Sequence, residues 1–178
     1  EAFGKLVDAG KVRHIGASNY EAPRLAEALD VSAANGLPAY SVLQPELHLM
    51  SRDRFEGDLQ QLCIDRNVGV VPYFALASGF LTGKYRGEAD KDKSLRGGNM
   101  DRYMTDRGNA VLAAMDGVAE ETGASLAQIA LAWNAAQPGV TAPIASATSV
   151  AQLEELMGAL ELTLSGVQLA SLDAASKS

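Results

Sequence analysis

Val71-Pro72-Tyr73-Phe74-Ala75-Leu76-Ala77-Ser78-Gly79-Phe80-Leu81-Thr82-Gly83-Lys84-Tyr85 carries the most information in this chain. It leaves an apolar strand and delivers an aromatic ring, a run of small residues with accessible backbone amides, and a lysine to one rim. A dinucleotide needs such groups. The flat ring of Tyr73 can stack on a nicotinamide and fix which face is exposed, and the amides of Leu76-Ala77-Ser78-Gly79 suit a pyrophosphate. The plainer reading of Tyr73 is a core tyrosine, but its place at a strand terminus argues for the rim.

Around this stretch, short β-type runs alternate with amphipathic helices. A helix over Glu1 to Ala9, with Gly10 at its C-cap, precedes a strand from Val12 to Ala17. Pro23 to Ala34 has apolar residues on helical spacing and ends at Asn35-Gly36. Tyr40 to Leu43 reads as a second strand, and Phe55 to Ile64 as a helix capped by Asp53. Val68 to Tyr73 is a third strand, with the near-continuous apolar run of a strand buried on both faces. A loop of about thirty residues follows, long enough to be a binding loop or lid. Helices over Asn109 to Glu121 and Ser125 to Ala136 lead to a fourth strand at Thr141 to Ala145. Val150 to Met157 and Gly166 to Ala174 close the chain as helices.

This order implies βα units and a parallel sheet. A doubly wound dinucleotide fold would show a G-x-G-x-x-G turn after its first strand, and Arg96-Gly97-Gly98-Asn99 is not one. A (β/α)8 TIM barrel places its chemistry on several strand ends, with a phosphate site after its last two strands. That pattern fits better. Ser18-Asn19 follow the first strand and could grip a carboxamide, although Asn19 also suits a turn or a helix N-cap. Gln44 ends the second strand on the same rim. Ser146-Ala147-Thr148 leads into a helix whose N-terminus favours a phosphate, and Gln152 and Glu155 on that helix read by themselves as a solvated face.

Taken together, Gly16-Ala17-Ser18-Asn19, the stretch from Val71 to Tyr85, and Pro143-Ile144-Ala145-Ser146-Ala147-Thr148 with Gln152 and Glu155 closely resemble the C-terminal half of an aldo-keto reductase. The resemblance implies strands five to eight of the barrel, and it spans nearly all of the chain as one partial domain. The sequence starts within a helical pattern at Glu1 without an initiator Met, so the first four units are expected upstream. It also implies NADP(H) as cofactor, with Ser18, Asn19 and Gln44 on the nicotinamide carboxamide and Tyr73 stacked on the ring. Phe74, Leu76, Ser78 and Gly79 would offer backbone contacts, Lys84 and Arg96 would fold over the cofactor within a loop covering about Arg86 to Asp106, and Ser146, Thr148, Gln152 and Glu155 would meet the adenosine end. Five positions in three places depart from the family pattern. Phe74-Ala75 stands where Ser-Pro is usual, Ser146 and Thr148 replace Gly and Ser or Arg, and Leu156 replaces an Asn.

The chemistry implied is reduction of an aldehyde or ketone by hydride transfer, with a Tyr, tuned by Lys and Asp and accompanied by His, supplying the proton that a nascent alkoxide requires. All four belong to the family's first four strands, so no catalytic residue is assigned here. His14 and His48 do not match the tetrad His and read as structural or rim residues. Turnover by this chain alone is therefore not expected. A non-catalytic nucleotide-binding or regulatory module from the same family, such as a relative of a channel-regulatory subunit, is the alternative.

Composition sets the outer bounds. With 178 residues, 47% hydrophobic, the chain can bury a substantial core. No apolar run approaches the roughly 20 residues of a membrane span, and a cytoplasmic location is the default. The net charge of −7 disfavours a nucleic-acid partner; Arg86, Lys91, Lys93, Arg96, Arg102 and Arg107 interleave with acids as a solvated loop would. Lone Cys63 falls in a helical apolar pattern and reads as buried. Two separated histidines and one cysteine give no metal-ligand spacing. Four strands cannot close a ring of eight, so the strands at Val12 and Thr141 are expected to present open edges, covered by the rest of the barrel or by self-association.

Overall fold

The computed structural model describes residues 1–87, 90 and 100–177. Helix α1 (Ala2–Asp8) turns into β1 (Ile15–Ser18), α2 (Ala22–Ala34), β2 (Tyr40–Gln44), α3 (Asp58–Asp65) and β3 (Gly69–Val70). These strands form a parallel sheet in the order β1-β2-β3, as short βα connections require. After the rim loop come α4 (Asp106–Thr122), α5 (Leu126–Ala135), α6 (Val150–Met157) and α7 (Gly166–Ser176). Leu43 and Val70 on the sheet, Phe80 and Leu81 on the rim loop, Leu112 and Met115 on α4, Ile129 and Trp133 on α5 and Leu172 on α7 belong to one buried cluster.

Several boundaries differ from the sequence reading. Helix α1 is capped at Ala9 and not Gly10, and β3 covers only Gly69–Val70 of the expected Val68 to Tyr73, where Pro72 has no N–H to pair. Three further differences have local reasons. The first strand begins at Ile15 and not at Val12, because the amides of Lys11 and Val12 both return to the carbonyl of Leu6 and close the end of α1. Asp53 does not cap α3. Phe55 and Glu56 donate to the carbonyl of Arg52 in a turn, and Gly57, at φ 91°, redirects the chain before Asp58; only glycine enters that region without strain. The expected strand at Thr141 to Ala145 is not a ladder strand. Val140 bridges Val70, Thr141 N–H donates to Val70 O at 2.7 Å and Ile144 N–H to Pro72 O at 2.8 Å, but Pro143 has no N–H to continue the pairing. The segment still runs beside β3, so the free side of the sheet lies beyond it.

Two of the later helices begin with a reciprocal cap. Ser125 Oγ accepts from Gln128 N–H while Gln128 returns to Ser125 N–H, and Ser165 and Gln168 repeat the arrangement on α7. A charged knot then ties α7 to the loop after β2. Arg52 donates to Glu56 at 2.7 Å and to Asp173 at 2.8 Å, its guanidinium lies 5.2 Å from the Trp133 ring centroid, and Trp133 Nε1–H donates to the same Asp173 oxygen at 3.0 Å. Among the described residues, no helix is long and apolar enough to cross a membrane.

Candidate cofactor site at the strand ends

The parallel register places Ser18 directly opposite Gln44, so both occupy the C-terminal ends of neighbouring strands. Ser18 Oγ donates to Gln44 O at 3.0 Å and Asn19 N–H donates to the same carbonyl at 3.3 Å. One strand further on, Tyr73 N–H donates to Pro45 O at 3.0 Å, and the Tyr73 hydroxyl donates to Asn19 Oδ1 at 2.8 Å. Ser18, Asn19, Gln44 and Tyr73 thus share one rim.

Local conformation decides the role of Asn19. It sits at φ 57°, a left-handed geometry that Asn tolerates better than most residues, and the N-cap of α2 is Glu21. Asn19 is therefore a turn residue with its side chain directed across the rim. Tyr73 is half-buried; Phe74 packs edge-on against its ring, with centroids 5.0 Å apart.

The loop beyond is left-handed at Phe74 (φ 58°), Ala77 (φ 47°), Ser78 (φ 58°) and Gly79 (φ 101°). Each non-glycine residue held there costs about 1–2 kcal/mol, and the buried side chains of Ala75, Ala77, Phe80 and Leu81 hold the loop in place. Lys84 crosses this turn: its Nζ lies 3.4 Å from where a Gly79 side chain would begin, and 5.0 Å from the Tyr85 ring centroid. Arg96 lies outside the described residues, as do residues 88, 89 and 91–99 of the expected covering loop. The described start of that loop is anchored, since Arg86 pairs in two-pronged fashion with Asp116 on α4 at 2.7 and 2.8 Å. Beside the loop, Arg102 donates to Ser78 Oγ at 3.3 Å.

At the fourth position, the helix cap is Ser149, whose Oγ accepts from Gln152 N–H at 3.2 Å. Gln152 folds back so that its Oε1 accepts from both Thr148 N–H, at 2.9 Å, and Thr148 Oγ1, at 3.0 Å. An anion approaching Thr148 therefore has to displace the Gln152 amide. Ser146 and Glu155 are exposed, and the Glu155 carbonyl accepts from Gln128 Nε2 at 2.9 Å.

A pair that the sequence pattern did not single out lies just inside the rim. His48 is buried; its Nδ1 accepts from Met50 N–H at 3.1 Å, leaving Nε2–H to donate to Glu46 Oε1 at 3.2 Å. Glu46 bridges Tyr73 across the sheet. The hydrogen bond from His48 holds the Glu46 carboxyl below its ordinary range, with help from Arg54 and Arg102. A folded-state value below the unfolded one means that the stabilisation is present above the ordinary carboxylate range and is lost as pH falls through the folded value. Glu46→Gln should therefore flatten the acid limb of stability, measured by urea unfolding at several pH values between neutrality and pH 3. His14 is exposed, immediately before β1. Burial pushes the Cys63 thiol up to about 11, a poor nucleophile at neutral pH.

Comparison with known proteins matches residues 1–177 to the aldo/keto reductase family model. The chain is 33% identical over 166 residues, 90% of its length, to a probable voltage-gated potassium channel subunit beta of Oryza sativa subsp. japonica, of which this covers 51%. It is 30% identical over 179 residues to the L-glyceraldehyde 3-phosphate reductase of Escherichia coli K12, covering 97% of this chain and 51% of that protein. Among solved structures, a thermostable aldo-keto reductase in complex with the inhibitor epalrestat superposes with a TM-score of 0.74 at 26% identity, over 98% of this chain and 52% of that one. The chain spans about half the length of the relatives it matches. The family is one of (β/α)8 barrels, and the small parallel sheet with its βα order and strand-end rim fits it: this chain belongs to the aldo/keto reductase family.

Proposed function

We propose that this chain supplies strands five to eight, and with them the cofactor-binding side, of an NADP(H)-dependent reductase of aldehydes or ketones. The observation that carries the reading is the convergence of Ser18, Asn19, Gln44 and Tyr73 on adjacent parallel strand ends. A hydroxyl and two carboxamides there offer both donors and acceptors to a nicotinamide carboxamide, and the Tyr73 ring offers a stacking face. The expected amide cradle is largely used up, since Ala77 N–H donates to Phe74 O and Gly79 N–H to Leu76 O, so the pyrophosphate would be met here by the Ser78 hydroxyl and by Lys84 across the turn. Ser146, Thr148, Gln152 and Glu155 form the adenosine end once Gln152 leaves Thr148. Bound NADPH would supply the hydride.

No proton donor is assigned within the chain. The Tyr73 hydroxyl is committed to Asn19, and both His48 ring nitrogens are engaged. The acid belongs, on this reading, to the units that complete the barrel, and NADPH-dependent turnover by the 178 residues alone is expected to be undetectable on a broad aldehyde panel. The regulatory-module reading draws support from the likeness to potassium channel beta subunits. Joining the chain to the complementary half of a family barrel separates the two, since turnover then appears only under the first. A cytoplasmic setting is the default proposed under either reading.

In the chain joined to the complementary half of a family barrel, Tyr73→Ala should weaken NADPH binding about tenfold, on the order of the stacking contribution. A fluorescence titration measures it, and an unchanged affinity would make Tyr73 a packing residue only. The open edges carry a second expectation. Phe3, Leu6 and Val31 are exposed on α1 and α2, at the β1 side, and Val150, Leu153, Met157 and Leu160 are exposed along α6 and just beyond it. The isolated chain should self-associate, as read by sedimentation velocity; a stable monomer would sink the open-edge argument.

A further inference from the structure

We propose that Arg102 is a phosphate ligand of the cofactor, meeting the pyrophosphate beside Ser78 as Lys84 does beside Gly79; this rests on the NADP(H) reading above. Sequence alone placed Arg102 among the solvated charges of a long loop. In the fold it reaches back 24 positions to the left-handed turn, where its Nη2–H donates to Ser78 Oγ. Three features make that more than a chance surface contact.

The first is its seat. The guanidinium carbon lies 4.6 Å from the centroid of the Tyr103 ring, and Tyr103 is buried, 5.5 Å from Phe80 and edge-on to His48 at 5.8 Å. Phe80 belongs to the same loop as Ser78, so the cation and the turn share one apolar support. A stacked guanidinium is held in place before a ligand arrives, which reduces the ordering cost of binding.

The second is the turn itself. Ala77, Ser78 and Gly79 are left-handed in succession; the Ala77 and Gly79 amides return to the carbonyls of Phe74 and Leu76, so what the turn presents to an anion is the Ser78 hydroxyl and the cations beside it. Lys84 Nζ lies against Gly79 on this turn and Arg102 against Ser78, so two cations flank three residues. The third is the weakness of the present bond. A hydroxyl at 3.3 Å is a neutral, long acceptor for a guanidinium, whereas a phosphate oxygen gives a shorter and stronger charge-assisted bond. Ser78 holds Arg102 in position and yields it.

Titration of NADPH and NADH into the wild-type chain, Arg102→Met, Arg102→Lys and Tyr73→Ala tests this. Arg102→Met should raise the Kd of both cofactors alike, by about tenfold, and flatten the salt dependence of binding, while Arg102→Lys recovers part of the affinity. A loss confined to NADPH would overturn the pyrophosphate assignment in favour of the 2′-phosphate. Unchanged affinity in Arg102→Met, with Tyr73→Ala still impaired, would reduce Arg102 to a strut for the loop and leave the cofactor reading intact. Absence of binding by the folded wild-type chain would overturn both.

Discussion

Gly108→Ala is expected to destabilise the protein by about 3 kcal/mol, toward the upper end of overpacking costs. The reason is a close approach at the start of α4. A β carbon on Gly108 would collide with the carbonyl oxygen of Tyr103 and stand 3.0 Å from Phe80 Cζ. The oxygen belongs to backbone and cannot swing aside, so either the first turn of α4 or residues 100–105 must move. Thr105, which caps the helix by accepting from Gly108 N–H at 3.1 Å, would move with them. Tyr103 and Phe80 also support the rim, so cofactor affinity should fall with stability. Gly117→Ala in the same helix is the matched comparison, because open space surrounds it. There the better helix propensity should stabilise by about 0.5–1 kcal/mol. Urea unfolding of both variants reads the two signs together.

Asp173→Ala should cost roughly 2–3 kcal/mol, with most of the loss coming from the partners left behind. Arg52, whose side chain is 13% exposed, would lose its charge partner on α7, and Trp133 Nε1–H would lose its acceptor. A buried indole N–H left without an acceptor, beside a mostly buried cation left with the charge of Glu56, costs more than the Asp173 contacts contribute. Asp173→Asn keeps an oxygen for the indole and removes the charge, so it should fall between wild type and Asp173→Ala. Equal stability of all three would mean that solvent reaches Arg52 more freely than its burial indicates.

Much of this molecule is legible in its residues, and the failures have local causes. The strand cores announce themselves as apolar runs, and Ser125 and Ser165 mark helix starts because their Gln partners sit three positions on. Strand ends are harder. Val12 is extended by propensity, but the Leu6 carbonyl needs donors and takes its amide together with that of Lys11. Asp53 is a good capping residue in a place where Gly57 turns the chain first. For the candidate site, barrel periodicity suffices to put Ser18, Gln44 and Tyr73 on one rim. The Glu46 and His48 pair, the reach of Arg102 to Ser78 and the folding of Gln152 onto Thr148 depend on side-chain direction, which periodicity does not encode.

The final helix, α7, has no basic residue in its last turn, so its negative end is neutralised by arginines from elsewhere. Arg52 donates to Ser176 Oγ at 2.7 Å, and Arg107 donates to Ser176 O at 2.5 Å. Arg107 also holds the carbonyls of Leu49 and Met50, beside the tight turn in which His48 and Ser51 bond reciprocally. That turn is continuous with Glu46, the neighbour of Tyr73. This chain of contacts sets an expectation: a ligand that quiets the rim turn should slow amide exchange in α7, and by linkage fraying of α7 should weaken that ligand by the same factor, which hydrogen exchange with and without ligand measures.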